Sequence, residues 1–171
     1  MHRRAPDETA DERTQLTQFL DHQRATILMK VEGVDREQMN ATTAASDLTL
    51  AALLKHLAVV EYGWCRVTLL GDEPAPWYAH VDGEADPDWD FRTAADDDPA
   101  ELVALYERTC ERSREAVASV GSLDDLSVNL RPRTGQRVNV RWILLNVIEE
   151  TARHAGHADL LREAIDGAKG S

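Results

Sequence analysis

Apolar residues recur at three- and four-residue steps in four stretches of the chain, which is the spacing of the buried face of an α-helix. The stretches are about residues 11–30, 47–70, 98–120 and 139–165. No stretch shows the sustained alternation of apolar and polar positions that a half-buried strand requires. The pattern therefore predicts four long helices and no sheet.

Four amphipathic helices in a chain of 171 residues indicate a four-helix bundle. The connection between the second and third predicted helices, residues 71–98, is much longer than the others, and a segment of this length can cross the whole bundle. The second and third helices can then run parallel. We therefore expect an all-α, up-down-down-up four-helix bundle that forms a single domain over residues 1–171, with its core at about 11–167.

Glu150, Thr151 and His154 interrupt the apolar face of the predicted fourth helix. Glu150 and His154 are four residues apart, so they lie above one another on the same side of the helix. A carboxylate and an imidazole that face a core need partners or a metal ion, because an unpaired buried charge is costly. His56, at the border of the apolar face of the second helix, can supply a third ligand. The three residues predict a divalent metal site with an open position.

The same residues allow other interpretations. His157 also shares a side of the fourth helix with His154, so it is a rival ligand, and His22 in the first helix is a weaker rival. Glu150 and His154 could instead form an ordinary helix-surface pair, and His56 could be a hydrogen-bonded core histidine. The sequence pattern by itself leaves these alternatives open.

Aromatic residues are concentrated in the long connection, which ends near the same end of the bundle as the candidate metal site. We hypothesise that Trp89 or Phe91 lines the mouth of the metal pocket. The alternative is that these rings only hold the connection against the bundle surface.

The chain carries a formal net charge of −12, and residues 71–98 account for −9 of it. A negative protein repels phosphate, so neither nucleic acid nor an anionic membrane is expected as a partner. No apolar run reaches the ~20 residues of a membrane span, and the N-terminus lacks the apolar core of a secretory signal. Together with Cys65 and Cys110, which we expect to be buried reduced thiols, this predicts a cytoplasmic protein.

Three stretches of the chain resemble the DinB/YfiT-like superfamily, and the likeness extends over nearly the whole chain. They are residues 21–24, 55–64 and, most specifically, 141–159. The branch most similar is the actinobacterial one of mycothiol-dependent enzymes. The resemblance implies a bundle with one divalent metal held by His56, Glu150 and His154. Most of the superfamily has histidine where this chain has Glu150, whereas the maleylpyruvate isomerase branch has glutamate. His157 is then implied to support a ligand or line the pocket.

The resemblance also implies a function. We expect a metal-dependent S-transferase that joins a low-molecular-weight thiol to an electrophile. Mycothiol is the first expectation for the thiol, and the metal is expected to lower the pKa of this thiol. Zinc is the first expectation for the metal, with nickel or iron as alternatives. Two other functions remain open: a non-catalytic metal-binding bundle that acts as a dimeric stress or scaffold protein, and a thiol-dependent isomerase. A homodimer is a further expectation.

Overall fold

The computed structural model describes residues 3–131 and 133–169, and this part of the chain contains six α-helices and no β-strand. The helices are α1 (Glu12–Val31), α2 (Arg36–Met39), α3 (Leu50–Tyr62), α4 (Trp89–Thr93), α5 (Pro99–Ser119) and α6 (Val140–Asp166). The four long helices are those that the apolar pattern predicts, so the all-α fold is confirmed. No helix among the described residues is long and apolar enough to cross a membrane. Met1 and His2, the first two residues of the N-terminal segment that was compared with a secretory signal, lie outside the described residues.

Side-chain caps explain why the long helices begin where they do. Asp11, Asp98 and Asn139 each accept a hydrogen bond from a backbone N–H group in the first turn of α1, α5 and α6. Such caps satisfy donors that have no partner inside the helix. Gly167 ends α6 in a left-handed conformation, with φ 77°.

Contacts near the helix ends show that α1 and α6 are parallel. Arg141 at the start of α6 forms an ion pair with Glu12 at the start of α1. Lys30 near the end of α1 lies 2.6 Å from the carboxylate of Asp159 in the second half of α6. The two helices therefore start together and end together.

A second set of contacts shows that α3 and α5 are parallel to each other. Lys55 in the first half of α3 binds Asp97, just before α5, at 2.6 Å. Ser113 in the second half of α5 donates to the backbone carbonyl of Glu61 near the end of α3. The start of each helix therefore lies beside the start of the other.

Trp64, just after α3, packs edge-to-face against Trp142 at the start of α6, with ring centroids 5.1 Å apart. This contact makes α3 and α6 antiparallel, which confirms the up-down-down-up order. Residues 71–98, hereafter the crossover, therefore span the bundle between α3 and α5. The crossover is not an irregular loop throughout, because it contains α4 and a 3₁₀ turn at Ala94–Asp96.

The second predicted helix differs from the expectation of one regular helix over residues 47–70. It begins at Leu50, where Thr49 caps it, and after Tyr62 it continues as a π-helical segment, Gly63–Thr68. A Cβ atom on Gly63 would lie 2.5 Å from the hydroxyl oxygen of Tyr78. Glycine at this position therefore lets the crossover pack directly against the π-helical segment, a contact that helical periodicity does not encode.

A polar layer divides the apolar core of the bundle into two halves. The half that faces the start of α3 includes Leu57, and the other half includes Cys65 and Ile143. The layer between them consists of buried polar side chains from each long helix: Arg24, Glu61, Ser113 and Thr151.

The centre of this layer is an ion pair between Arg24 of α1 and Glu61 of α3. The guanidinium donates two parallel hydrogen bonds, Nε to Oε1 at 2.6 Å and Nη2 to Oε2 at 2.7 Å. Glu61 is fully buried and Arg24 is 3% exposed. Arg24 also binds Asp21, which in turn accepts from Arg114 of α5. One network thus joins α1, α3 and α5.

Replacement of Glu61 by leucine leaves the Arg24 guanidinium buried without its carboxylate. We expect the free energy of unfolding to fall by about 3–5 kcal/mol. The double variant Arg24→Met/Glu61→Leu removes both charges and should recover most of the loss. Urea denaturation followed by circular dichroism measures both effects. A double variant no more stable than the single one would show that the loss of charge pairing is not the cause.

Candidate metal centre

His56 of α3 and Glu150 and His154 of α6 are brought together where the two antiparallel helices face each other. One ligand atom from each residue lies within 4.8 Å of the others. Glu150 Oε2 is 3.9 Å from His56 Nε2 and 3.6 Å from His154 Nε2. We call these three residues the His–Glu–His cluster.

Asp90 of α4 fixes the orientation of His56. Its Oδ2 atom lies 2.8 Å from His56 Nδ1, and the Asp90 side chain is 9% exposed. An ionised carboxylate only accepts hydrogen bonds, so Nδ1 carries the proton, and in the neutral imidazole Nε2 then keeps the lone pair. The free lone pair therefore belongs to the nitrogen that faces Glu150. A carboxylate behind a histidine ligand is a common arrangement in metal sites.

His154 and His157 are also in contact, with their Nδ1 atoms 3.2 Å apart. His157 thus holds the ring of His154 so that Nε2 faces the cluster. Burial, followed by the neighbouring imidazoles of His56 and His157, lowers the pKa of His154 from its ordinary value of 6.5 to about 4. The neutral form that results is the one that can act as a metal ligand.

Glu150 has a different partner for each carboxylate oxygen. Oε1 lies 3.4 Å from Arg153 Nη1, and Oε2 faces the two imidazoles. Arg153 is half exposed and also pairs with Glu149. Every member of the cluster is therefore oriented by a group outside it: Asp90, His157 or Arg153.

The spacing of the cluster suits a first-row divalent ion. Ligands in a tetrahedral site with bonds of about 2.1 Å lie about 3.4 Å from one another. The two distances to Glu150 exceed this value by about 0.2 and 0.5 Å, and all three ligand atoms lie within 4.8 Å of one another, so small side-chain movements would bring them to bonding distance. The side chains of His56 and Glu150 are 19% and 23% exposed, so a small molecule can approach from that side. Two imidazoles and one carboxylate leave a fourth position open.

Of the two crossover aromatics predicted near the site, Phe91 lies over the cluster. Its ring stacks on His56 with centroids 4.5 Å apart and lies 6.4 Å from the His154 ring. Trp89 faces Lys55 instead, whose Nζ atom is 4.5 Å from the indole centroid. Another aromatic residue of the crossover, Trp77, packs against Tyr62 and holds the crossover on the bundle, which is the role that the alternative interpretation gave to the aromatic rings.

His22, the weaker rival ligand, lies elsewhere. Its Nε2 atom accepts from Arg3 Nε, and its Nδ1 atom contacts the Arg4 carbonyl. Asp90 is the residue that sequence reasoning missed. It is one of ten acidic residues in the crossover, and no periodic pattern distinguishes it from the others.

A sequence model of the family described as Mycothiol-S-transferase matches residues 15–167, which is most of the chain. The chain belongs to the mycothiol S-transferase family. The residues of the His–Glu–His cluster lie within the matched range. No curated protein matches the chain.

The fold of this mycothiol S-transferase family member also occurs in a solved structure. A conserved protein from Enterococcus faecalis, known from its crystal structure, superposes with a TM-score of 0.70 over 94% of this chain and 100% of its own. The two sequences are 14% identical, so the likeness concerns the fold alone.

Cys65 and Cys110 are free thiols in the interior of the protein, as the sequence predicts. Burial, reinforced by the carboxylate of Glu61, raises the pKa of Cys65 to about 12 and raises that of Cys110 as well. Both thiols therefore stay protonated at neutral pH. Neither cysteine can therefore serve as the sulfur nucleophile, which agrees with a family named after a small-molecule thiol.

The low pKa of His154 has a consequence for stability in the absence of metal. Between pH 6.5 and about 4 the imidazole takes up a proton in the unfolded chain but not in the folded one. The free energy of unfolding therefore falls as the pH is lowered through this window. Urea unfolding of metal-free protein at the two ends of the window should show a larger loss for the wild type than for His154→Gln. An equal loss of unfolding free energy in the two proteins would show that His154 is not the group responsible for this pH dependence.

Proposed function

We propose that this protein is a metal-dependent thiol S-transferase that joins mycothiol to an electrophilic substrate at the His–Glu–His cluster. The observation that carries the proposal is the cluster itself. Two imidazoles and one carboxylate converge from two helices, and each is oriented by a separate outer partner. Membership of the mycothiol S-transferase family supports the choice of thiol.

A divalent ion held by His56, Glu150 and His154 would supply Lewis-acid chemistry that lowers the pKa of an incoming thiol. Zinc is our first choice, and nickel or iron also suit two imidazoles and one carboxylate. Two neutral imidazoles and one carboxylate around such an ion carry a net charge of about +1, which favours an anionic sulfur. In a substitution, the sulfur would form a bond to the electrophilic carbon as the bond from that carbon to its leaving group breaks; the leaving group departs with the electron pair, and the proton of the thiol is released to solvent.

The surrounding residues of this chain keep the site in order. Asp90 holds His56 in the tautomer whose Nε2 can bind, and the contact of His157 with Nδ1 of His154 leaves Nε2 of His154 facing the cluster. The Phe91 ring covers His56 and shields that side of the cluster from water. Because Cys65 and Cys110 are buried and protonated, the sulfur nucleophile has to come from the small molecule. A homodimer and a cytoplasmic location stay predictions from the sequence.

Metal titration tests the ligand set. Metal-free wild-type protein should bind one equivalent of Zn²⁺, and His56→Ala and His154→Ala should lose stoichiometric binding. Asp90→Asn keeps the ligands but loses the ionised acceptor, so its affinity should fall about 10–100-fold. His22→Ala is the matched control and should bind as the wild type does, because His22 contacts the N-terminal segment instead. Isothermal titration against a competing chelator provides the measurement, and full binding by both alanine variants would show that the site is wrong.

Thiol conjugation tests the reaction. The zinc-loaded protein is supplied with a generic electrophile and with mycothiol, bacillithiol or glutathione in parallel, and product is measured by mass spectrometry. We expect conjugation with mycothiol, its loss on chelation or in His154→Ala, and its return when zinc is restored.

Two outcomes would replace the proposal. Metal binding without consumption of any thiol favours a non-catalytic metal-binding bundle. Acceleration of a substrate rearrangement without net consumption of the thiol favours a thiol-dependent isomerase.

A further inference from the structure

A cavity of about 650 Å³ lies beside α4, between the first half of α5 and the crossover. None of the residues of the His–Glu–His cluster lines it. Its polar and aromatic lining comes from α3, the crossover and α5: Lys55, Trp77, His80, Trp89, Asp97, Glu101 and Arg108. We call it the crossover cavity. Its volume falls within the range of about 300–1,000 Å³ typical of small-molecule sites.

The crossover cavity and the cluster lie on opposite sides of α4. Trp89 and Phe91 are two residues apart, which turns their side chains about 200° from each other around the helix axis. Phe91 stacks on His56, and Trp89 covers the preceding residue of α3, Lys55. The cavity is therefore a neighbour of the cluster, separated from it by one helix with a diameter of about 10 Å.

The charges in the lining cancel. Lys55 Nζ binds Asp97 at 2.6 Å and Thr93 at 2.8 Å, so its positive charge is already matched. Glu101 and Arg108 contribute one exposed charge of each sign from α5. A neutral lining offers no net attraction to an anion or a cation, and this favours an uncharged ligand.

The lining also combines flat apolar surfaces with many hydrogen-bonding groups. The indoles of Trp77 and Trp89 provide apolar faces, and leucine and alanine side chains of α5 complete the apolar wall. The carboxylates of Asp97 and Glu101 can accept from adjacent hydroxyl groups, and the Arg108 guanidinium can donate to them. A polyhydroxylated ring, apolar on its faces and polar around its edge, matches both properties.

We propose that the crossover cavity binds the uncharged, sugar-like portion of the thiol substrate while its sulfur lies at the His–Glu–His cluster. This inference rests on the proposed function. It requires a thiol whose bulky polyol group is joined to the sulfur by a chain that passes around α4, a path of at least about 10 Å, since this short helix lies between the two sites. Mycothiol, in which the cysteine is attached to a glucosaminyl-inositol unit, has this form. The electrophile then approaches the cluster from another side and does not need the cavity.

A ligand without sulfur tests the cavity separately from the reaction. N-acetylglucosaminyl-inositol is titrated into metal-free protein, and binding is followed by calorimetry. We expect saturable binding that weakens about tenfold in Trp89→Leu, the loss expected for an aromatic stacking contact together with its buried area. The control Trp142→Phe alters an indole that packs on Trp64 far from the cavity, and it should leave binding unchanged.

A second pair of variants keeps the aromatic packing intact. Glu101→Gln/Arg108→Gln changes two exposed side chains of α5 that line the cavity and should also weaken binding. Glu107→Gln/Arg112→Gln makes the same chemical change on exposed residues of α5 that do not line it, and should have no effect. Equal binding by both double variants and by Trp89→Leu would overturn the inference.

Steady-state kinetics distinguishes failure of the inference from failure of the proposed function. If the protein conjugates mycothiol, the cavity variants should raise the KM for mycothiol severalfold and leave the KM for the electrophile unchanged. Conjugation with a raised KM for the electrophile alone would overturn the cavity assignment and leave the function standing. Sugar binding without any conjugation would support the cavity assignment and overturn the proposed transferase activity.

Discussion

The buried ion pair between Arg24 and Glu61 is the constraint on which the rest of the bundle depends. Apolar helix faces can slide along one another by a turn at modest cost, whereas a bidentate pair in the interior is satisfied only in one axial position. Any other register of α1 against α3 would leave two buried charges apart, at a cost of several kcal/mol. We infer that this pair selects one register from several that the apolar pattern would accept.

That register is transmitted to the candidate metal centre. Glu61 lies on the same helix as His56, and Lys30 binds Asp159, which lies on the same helix as Glu150 and His154. The connection therefore runs from α3 to α1 through the buried pair, and from α1 to α6 through the Lys30 contact. These contacts, together with the direct packing of Trp64 on Trp142, set the axial position of His56 relative to its two partners. The ion pair thus acts at a distance on the geometry of the cluster.

The acidic crossover has a structural role that its net charge conceals. Several of its carboxylates each bind one group of the bundle: Asp72 binds Arg66, Asp90 binds His56, Asp97 binds Lys55 and Asp98 binds Arg36. These contacts, with the packing of Trp77 on Tyr62, hold the crossover in one path across the bundle. As a result α4 can cover the cluster with Phe91 on one side and form a wall of the crossover cavity with Trp89 on the other.

The sequence by itself determined the features that depend on near neighbours in the chain. Caps such as Asp98 and Asn139 set the helix starts, and the four-residue spacing alone put Glu150 beside His154. The tertiary structure decided the features that depend on how helices meet: the distance from His56 to its partners, the choice of Asp90 among ten crossover acids, and the opposite directions of Trp89 and Phe91. It also decided that Arg24 and Glu61, two ordinary surface residue types 37 positions apart, pair in the core. The physical reason is that helical periodicity fixes which side chains share a face, whereas axial register and loop path are set by packing and buried charge between elements distant in the chain.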